Sequence, residues 1–241
     1  MKIDIWSSQD PWLSNLGPLP RHETPHLVQQ HLPPIDFPDL CYYTTPKNQN
    51  ENQSTNPKIR KAFENLGIPL DCDCCDTNFA VSCVFHNISI ATTFKETLKK
   101  VGVIFCSISE AIKLYPNLVR KYIAKVMPNS DNYFVTLNSA VFNNGMFCYV
   151  PKDTRCPMKL MNYFRTNSWD TGQFDHTLVV ADDKSSMEYY ESCTTTSHNV
   201  NPLHAAMVEM YYCEEGAEIK YSTMQNCYPW DGSGKGKCTT L

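Results

Sequence analysis

The sequence predicts an α+β chain in which a small helical N-terminal region feeds an all-β body. Three observations carry that expectation. Short β-type runs recur at nearly even spacing from Gly145 to Asn226. Aspartate, asparagine, glycine and proline punctuate them, as strand-and-turn chemistry requires. No helix-period segment interrupts this half, which favours a stack of strands, a sandwich or a solenoid, over a βαβ sheet.

Taken in order, residues 1–56 form a Pro-rich and polar arm. Nine of the sixteen prolines lie between Pro11 and Pro57, and the tract Lys47 to Asn56 is almost wholly polar. Such a composition buries too little apolar surface to offset chain entropy, so the arm is predicted to be largely irregular, with Ile35, Phe37, Leu40, Tyr42 and Tyr43 docked as an extended strap. Residues 57–143 read as a mainly α-helical region. One helix runs from Pro57 to Leu66 and ends at Gly67, and another runs from Thr93 to Lys100 near Gly102. Ser107 and Glu110 form a capping box. Pro116 opens a helix whose stripe Leu118, Val119, Tyr122, Ile123 and Val126 is stopped by Pro128. Asp131 can cap a short helix carrying Phe134, Leu137 and Val141 at helical spacing, a reading that the β-branched and aromatic content of the segment leaves open. Residues 144–241 form the β body, with strand runs at Met146 to Val150, His176 to Ala181, Met187 to Glu191, Ala205 to Tyr212 and Ala217 to Gln225.

Composition excludes several classes. With Lys+Arg 21 against Asp+Glu 25 and a net charge of -4, the chain has no basic block for nucleic acid. No apolar run reaches the roughly 20 residues of a membrane span. Met1 to Trp12 lacks the basic start and apolar core of a signal peptide, and Asp4 and Asp10 argue against a typical transit peptide. The twelve cysteines are therefore read as mostly reduced thiols of a soluble intracellular protein.

Three constellations could carry chemistry. Cys72, Cys75, Cys83 and His86, with Cys74 in reserve, have the residue types of a zinc site. Yet Phe79 to Ile90 reads as a strand, where residues three apart face opposite ways, so buried or loop cysteines are the favoured reading. The glycine-rich run Gly232 to Lys237 lacks the spacing, the Ser/Thr and the following helix of a phosphate loop, and is read as a turn. Glu191-Ser192-Cys193 closes a tyrosine-rich strand, with His198 and His204 nearby in sequence. A thiol there is a candidate nucleophile, because the thiolate is the reactive form and a neighbouring cation populates it.

Longer passages resolve that last reading. The runs Gly102 to Ile112, Asp131 to Phe134, Leu137 to Phe142, Pro151 to Met158, Tyr163 to Asn167, Thr171 to Phe174, Leu203 to Ala206 and Ala217 to Thr223 closely resemble the SufB family of iron–sulfur cluster assembly scaffolds, most of all its plastid form. The resemblance extends from about Pro33 to Gly236. It implies a helical N-terminal region followed by a right-handed β-helix, incomplete at the C-terminus.

It further implies a scaffold rather than an enzyme, placed in the plastid stroma (otherwise the cytoplasm) and working with a SufD-like paralogue and a SufC-like ATPase. Sulfur arrives as a persulfide from a cysteine desulfurase and its sulfur-transfer partner, for a transiently held iron–sulfur cluster, with reduced flavin a further family cofactor. The acceptor maps to Cys193 with Glu191 in a Glu-x-Cys motif. Polar lumen residues map to Arg165 and Asn167 of Phe-Arg-x-Asn and to Gln225 of Gln-Asn-x. Ser192 stands where the family has glycine, and Cys227 where it has tryptophan. After Lys237 the pattern is lost, so the chain is expected to lack the remaining coils, the cluster ligands and the strands and helices that meet SufD and SufC. The other readings from the residues are a zinc-binding interaction module and a β-solenoid enzyme acting on polysaccharide, the latter requiring carboxylates clustered on adjacent coils.

Overall fold

The computed structural model describes residues 78–85, 88–126, 133–142, 144–166, 172–195, 203–212 and 215–226, together with Lys61. The arm predicted for residues 1–56, the helix predicted from Pro57 to Leu66 apart from Lys61, Cys72, Cys75 and the glycine-rich run lie outside them.

Among the described residues, strands and helices follow one another as β1 (Phe79–Phe85), β2 (Ile88–Thr92), α1 (Lys95–Lys100), β3 (Ile104–Ser107), α2 (Ile108–Leu114), α3 (Pro116–Tyr122), α4 (Tyr133–Val141), β4 (Met146–Val150), β5 (Lys159–Thr166), β6 (Gly172–Ala181), β7 (Ser186–Thr195), β8 (Leu203–Tyr212) and β9 (Glu218–Asn226). The α+β class holds, and the strands assemble into two sheets in the orders β2-β1-β5-β7-β9 and β3-β4-β6-β8. The β1–β2 and β3–β4 pairs are antiparallel. The other pairs are parallel, and from β4 to β9 consecutive strands alternate between the sheets. The register sets a repeat the residue pattern does not display. Phe147 pairs with Leu178, Leu160 with Tyr189 and Gly172 with Leu203, so each strand meets the next but one along the chain at a nearly constant offset.

The local signals explain the helices. Ser107 Oγ accepts the backbone N–H of Glu110 at 3.2 Å, as the capping box requires. Pro116 occupies the first turn of α3. The stripe of α3 stops earlier than its periodicity suggests. Ile123 leaves the helix in an extended conformation and Ala124 has φ 57°, so Val126 projects as an exposed side chain while Val119 and Tyr122 are buried. Residues 57–143 also hold β1, β2 and β3 beside the helices, and β1 joins the body directly by pairing with β5. The apolar content of Phe79–Phe85, which would crowd a helix turn with β-branched and aromatic groups, suits a buried parallel strand instead.

Two apolar layers result. Ala80, Phe105, Met146, Cys148, Val150, Leu160, Val179, Ala181, Met187 and Tyr189 fill the space between the sheets. Ile108, Ala111, Val119 and Tyr122 of α2 and α3 pack with Phe147, Leu178 and Val180 on the outer side of the second sheet. Strand alternation thus sends the even residues of β4 and the odd residues of β6 into the space between the sheets, and their neighbours out against the helices.

Candidate functional site

Cys193 lies two residues inside the end of β7 rather than closing it, and is only 6% exposed. Its strand alternates Met187, Tyr189, Glu191 and Cys193 on one face, and because Met187 and Tyr189 belong to the inter-sheet core, that face is the interior one. Phe164 is its register partner on β5 and Gln225 on β9. Cys193 packs with Phe164 and Val84 in a small apolar cluster.

Next to this cluster the interior turns polar. Ser82, Asn162 and Glu191 are in register across β1, β5 and β7, and the row runs out to the exposed Thr223 on β9. Ser82 and Asn162 are fully buried and Glu191 nearly so. Tyr189 donates its hydroxyl to Glu191 Oε2 at 3.3 Å. The Tyr189 phenol is pushed well above its ordinary value, first by burial, then by the charges of Glu191 and Cys148, while a hydrogen bond with Thr177 works the other way. Thr177, on the facing sheet, is itself buried and accepts the N–H of Met146 (3.3 Å). The row therefore spans both sheets. Tyr221 stacks on Tyr189 at 6.0 Å, and burial together with Glu191 pushes its phenol up to about 12. Such a row is costly in an apolar interior unless its groups are satisfied. Asn162 is not: among the described residues neither its Oδ1 nor its Nδ2 has a hydrogen-bond partner.

Three other thiols, Cys83, Cys106 and Cys148, lie in the apolar core. Among the described residues Cys83, Cys106, Cys148, Cys156 and Cys193 are thiols rather than disulfides. Burial pushes the Cys83 and Cys106 thiols up to about 12, with Glu110 adding to Cys106, and raises Cys148 strongly, with Cys106, Cys156 and Glu191 contributing. A thiol kept protonated this way is a core residue and a poor nucleophile.

The predicted site residues divide as follows. Glu191 and Cys193 share one interior face of β7. Gln225 occupies the register position beside Cys193 on β9, and Arg165 follows Phe164 on β5, in register with Phe85 and Thr194. Asn167, His198, Cys72, Cys75 and His86 lie outside the described residues. Cys83 packs with Val81 and Tyr163, and among the described residues no three His, Cys, Asp or Glu side chains come together as metal ligands. The carboxylate of Glu188 lies on the outer side, between Lys159 (3.4 Å) and Lys220 (3.7 Å), an ion-paired setting that does not suit a pair of sugar-cleaving carboxylates. Among the described residues no helix is long and apolar enough to cross a membrane. Sequence reasoning missed Asn162, Ser82, Thr177 and Tyr189. The available signal was Asn162 interrupting an otherwise apolar segment, Leu160 to Phe164.

Comparison with known proteins agrees with the motif resemblance. Residues 51–161 match the SufBD protein N-terminal region, and residues 164–231 match the SufBD core domain of SUF system FeS cluster assembly. The chain is 51% identical over 217 residues to the chloroplastic iron–sulfur cluster assembly SufBD family protein ABCI8 of Arabidopsis thaliana, covering 89% of this chain and 39% of that one. It is 48% identical over 210 residues to a SufBD family protein of Synechocystis (86% and 44%) and 51% identical over 207 residues to ycf24 of Porphyra purpurea (85% and 42%). The chain thus spans about two-fifths of the length of these relatives. Two consecutive domain matches and this level of identity, on a structure whose strands pair as described, establish that the chain belongs to the SufBD family.

Proposed function

We propose that the chain acts as a scaffold component of the SUF iron–sulfur assembly system and takes up persulfide sulfur on Cys193. The observation that carries this reading is the placement of Cys193 on the interior face of β7 beside Glu191, in a stack of parallel strands alternating between two sheets. We read that stack as part of a right-handed β-helix. A thiol on a lumen face can hand sulfur along the interior, away from water and competing thiols.

The reaction is a sulfur transfer without net redox change. The Cys193 thiolate attacks the outer, sulfane sulfur of a donor persulfide; a new S–S bond forms to Cys193, the donor S–S bond breaks, and the donor leaves as a thiolate. The proton of Cys193 must first depart, and Glu191 on the same face is the carboxylate to receive it. Gln225 is read as a further polar residue of the route, and Arg165 and Asn167, either side of the last residue of β5, as residues of its mouth, a guanidinium being suited to a sulfur anion. The donor is a cysteine desulfurase with its sulfur-transfer partner. A SufD-like paralogue and a SufC-like ATPase complete the assembly, with reduced flavin as electron source. The iron–sulfur cluster is cargo, and the plastid stroma is the expected compartment, in line with the chloroplastic name of the Arabidopsis thaliana relative.

Anaerobic incubation of the reduced chain with glutathione persulfide, followed by alkylation and mass spectrometry, tests this. The expected result is one added sulfur on Cys193 that is absent from Cys193→Ala. Loading that persists in Cys193→Ala, on any other cysteine, removes the assignment. Ser192→Gly, restoring the family residue, is expected to load at least as well as the parent, because glycine lets a donor approach the strand more closely.

A further inference from the structure

Asn162 is fully buried, and among the described residues both polar atoms of its carboxamide are without a partner. An amide left so costs about 1–3 kcal/mol, and buried polar groups in folded proteins are otherwise almost always paired. A leucine of nearly the same size would avoid that cost. The side chain shares the interior face of β5 with Leu160 and Phe164, and its register partner on β7 is Glu191. Cys193 is therefore its diagonal neighbour, one strand across and two positions along, roughly 8 Å away between backbones from strand spacing and rise. A persulfide lengthens Cys193 by one S–S bond of about 2.05 Å. The added sulfur thus extends the reach of the Cys193 side chain toward its diagonal neighbour.

Resting on the assignment of Cys193 as sulfur acceptor, we propose that Asn162 is a positioning residue whose carboxamide N–H binds the terminal sulfur of the Cys193 persulfide. The unpaired amide among the described residues is then the complement of the loaded state. A sulfur anion is a group that gains from an N–H donor, and the carboxamide oxygen accepts from the protonated form. Asn162 would thus stabilise the persulfide anion and orient it along the polar row toward Glu191 and Thr177.

The test compares the full chain with Asn162→Leu and Asn162→Ala. Each is loaded anaerobically with glutathione persulfide, and the rate of alkylation of the Cys193 persulfide is followed against pH. Removal of the donor should move the midpoint of that profile upward by about one pH unit, since a hydrogen bond to a charged group is worth more than one to a neutral partner, while thermal stability of Asn162→Leu stays equal or rises. Asn162→Gln should return the midpoint part of the way. An unchanged midpoint in both Asn162→Leu and Asn162→Ala, with loading intact, overturns the proposal and leaves Cys193 as acceptor; that result would mean the amide holds an ordered water only. Failure of the parent chain to load at Cys193 overturns the acceptor assignment itself. Loss of near-ultraviolet circular dichroism in both variants also overturns the proposal, because an amide without partners would then be doing structural work.

Discussion

Gly145 offers the sharpest test of the strand stacking. It has φ +130°, and a Cβ built on it would fall onto the backbone carbonyl group of His176, with the His176 nitrogen at 2.7 Å. The obstacle is backbone of the neighbouring strand, so Gly145→Ala must push β4 away from β6. Three hydrogen bonds hold that junction: Ile108 N–H to the Gly145 carbonyl (2.9 Å), His176 N–H to the Asn144 carbonyl (2.9 Å) and Met146 N–H to Thr177 Oγ1 (3.3 Å). At about 1 kcal/mol each, plus about 1–3 kcal/mol for a Cβ in that conformation, the substitution costs about 4–6 kcal/mol. That is a large part of the ~5–15 kcal/mol that separates folded from unfolded chains. For a chain of this size it corresponds to a Tm lower by roughly 10–20 °C. Thermal and urea unfolding followed by circular dichroism measure it. Gly216→Ala is the control: φ there is +79°, but the nearest atom is Lys184 Cγ at 3.4 Å, a flexible side chain, so only about 1 kcal/mol of strain is expected. A Gly145→Ala chain that melts together with the parent would refute the close β4–β6 approach.

Three other outcomes follow from the same geometry. Tyr189→Phe keeps the ring and its stacking on Tyr221 but removes the hydroxyl between Glu191 and Thr177; at 3.3 Å the bond to Glu191 is long, so a loss of about 1–2 kcal/mol is expected in urea unfolding, and an unchanged midpoint would mean the polar row is held by other bonds. Cys83 and Cys106 have folded values of about 12 against 9.0 ordinarily, and Tyr189 and Cys148 are raised too; since the folded state prefers the protonated forms, their contribution is complete below pH 9 and disappears as pH climbs toward 12. Urea midpoints should fall steadily over that range, and a flat profile across it would contradict the burial of these groups. Ser107→Ala should cost about 1 kcal/mol through the lost cap of α2, whereas Lys95→Ala, which breaks a half-exposed pair with Glu110, should cost under about 1 kcal/mol; reversal of that order in chemical denaturation would show that the ion pair, not the cap, anchors the helix.

The amino-acid sequence by itself determined the elements whose signal is local. The capping box at Ser107 and the proline opening α3 are set by contacts within a few residues, and the strand runs of β4 and β6–β9 announce themselves by residue type and turn punctuation. The Glu-x-Cys motif was legible in the same way, as wording. β5 was not legible as a strand run, because Leu160, Met161, Tyr163 and Phe164 are apolar on both faces and show neither a period of two nor one of 3.6. Its identity comes from pairing with β1, far earlier in the chain, and with β7. The end of α3 at Tyr122 was likewise decided by where the helix face meets the second sheet. Only the tertiary structure turned Asn162 from a break in an apolar run into an interior amide beside Glu191 and Cys193. The physical reason is that a parallel ladder joins residues distant in sequence, and no local propensity encodes which of them will share a face.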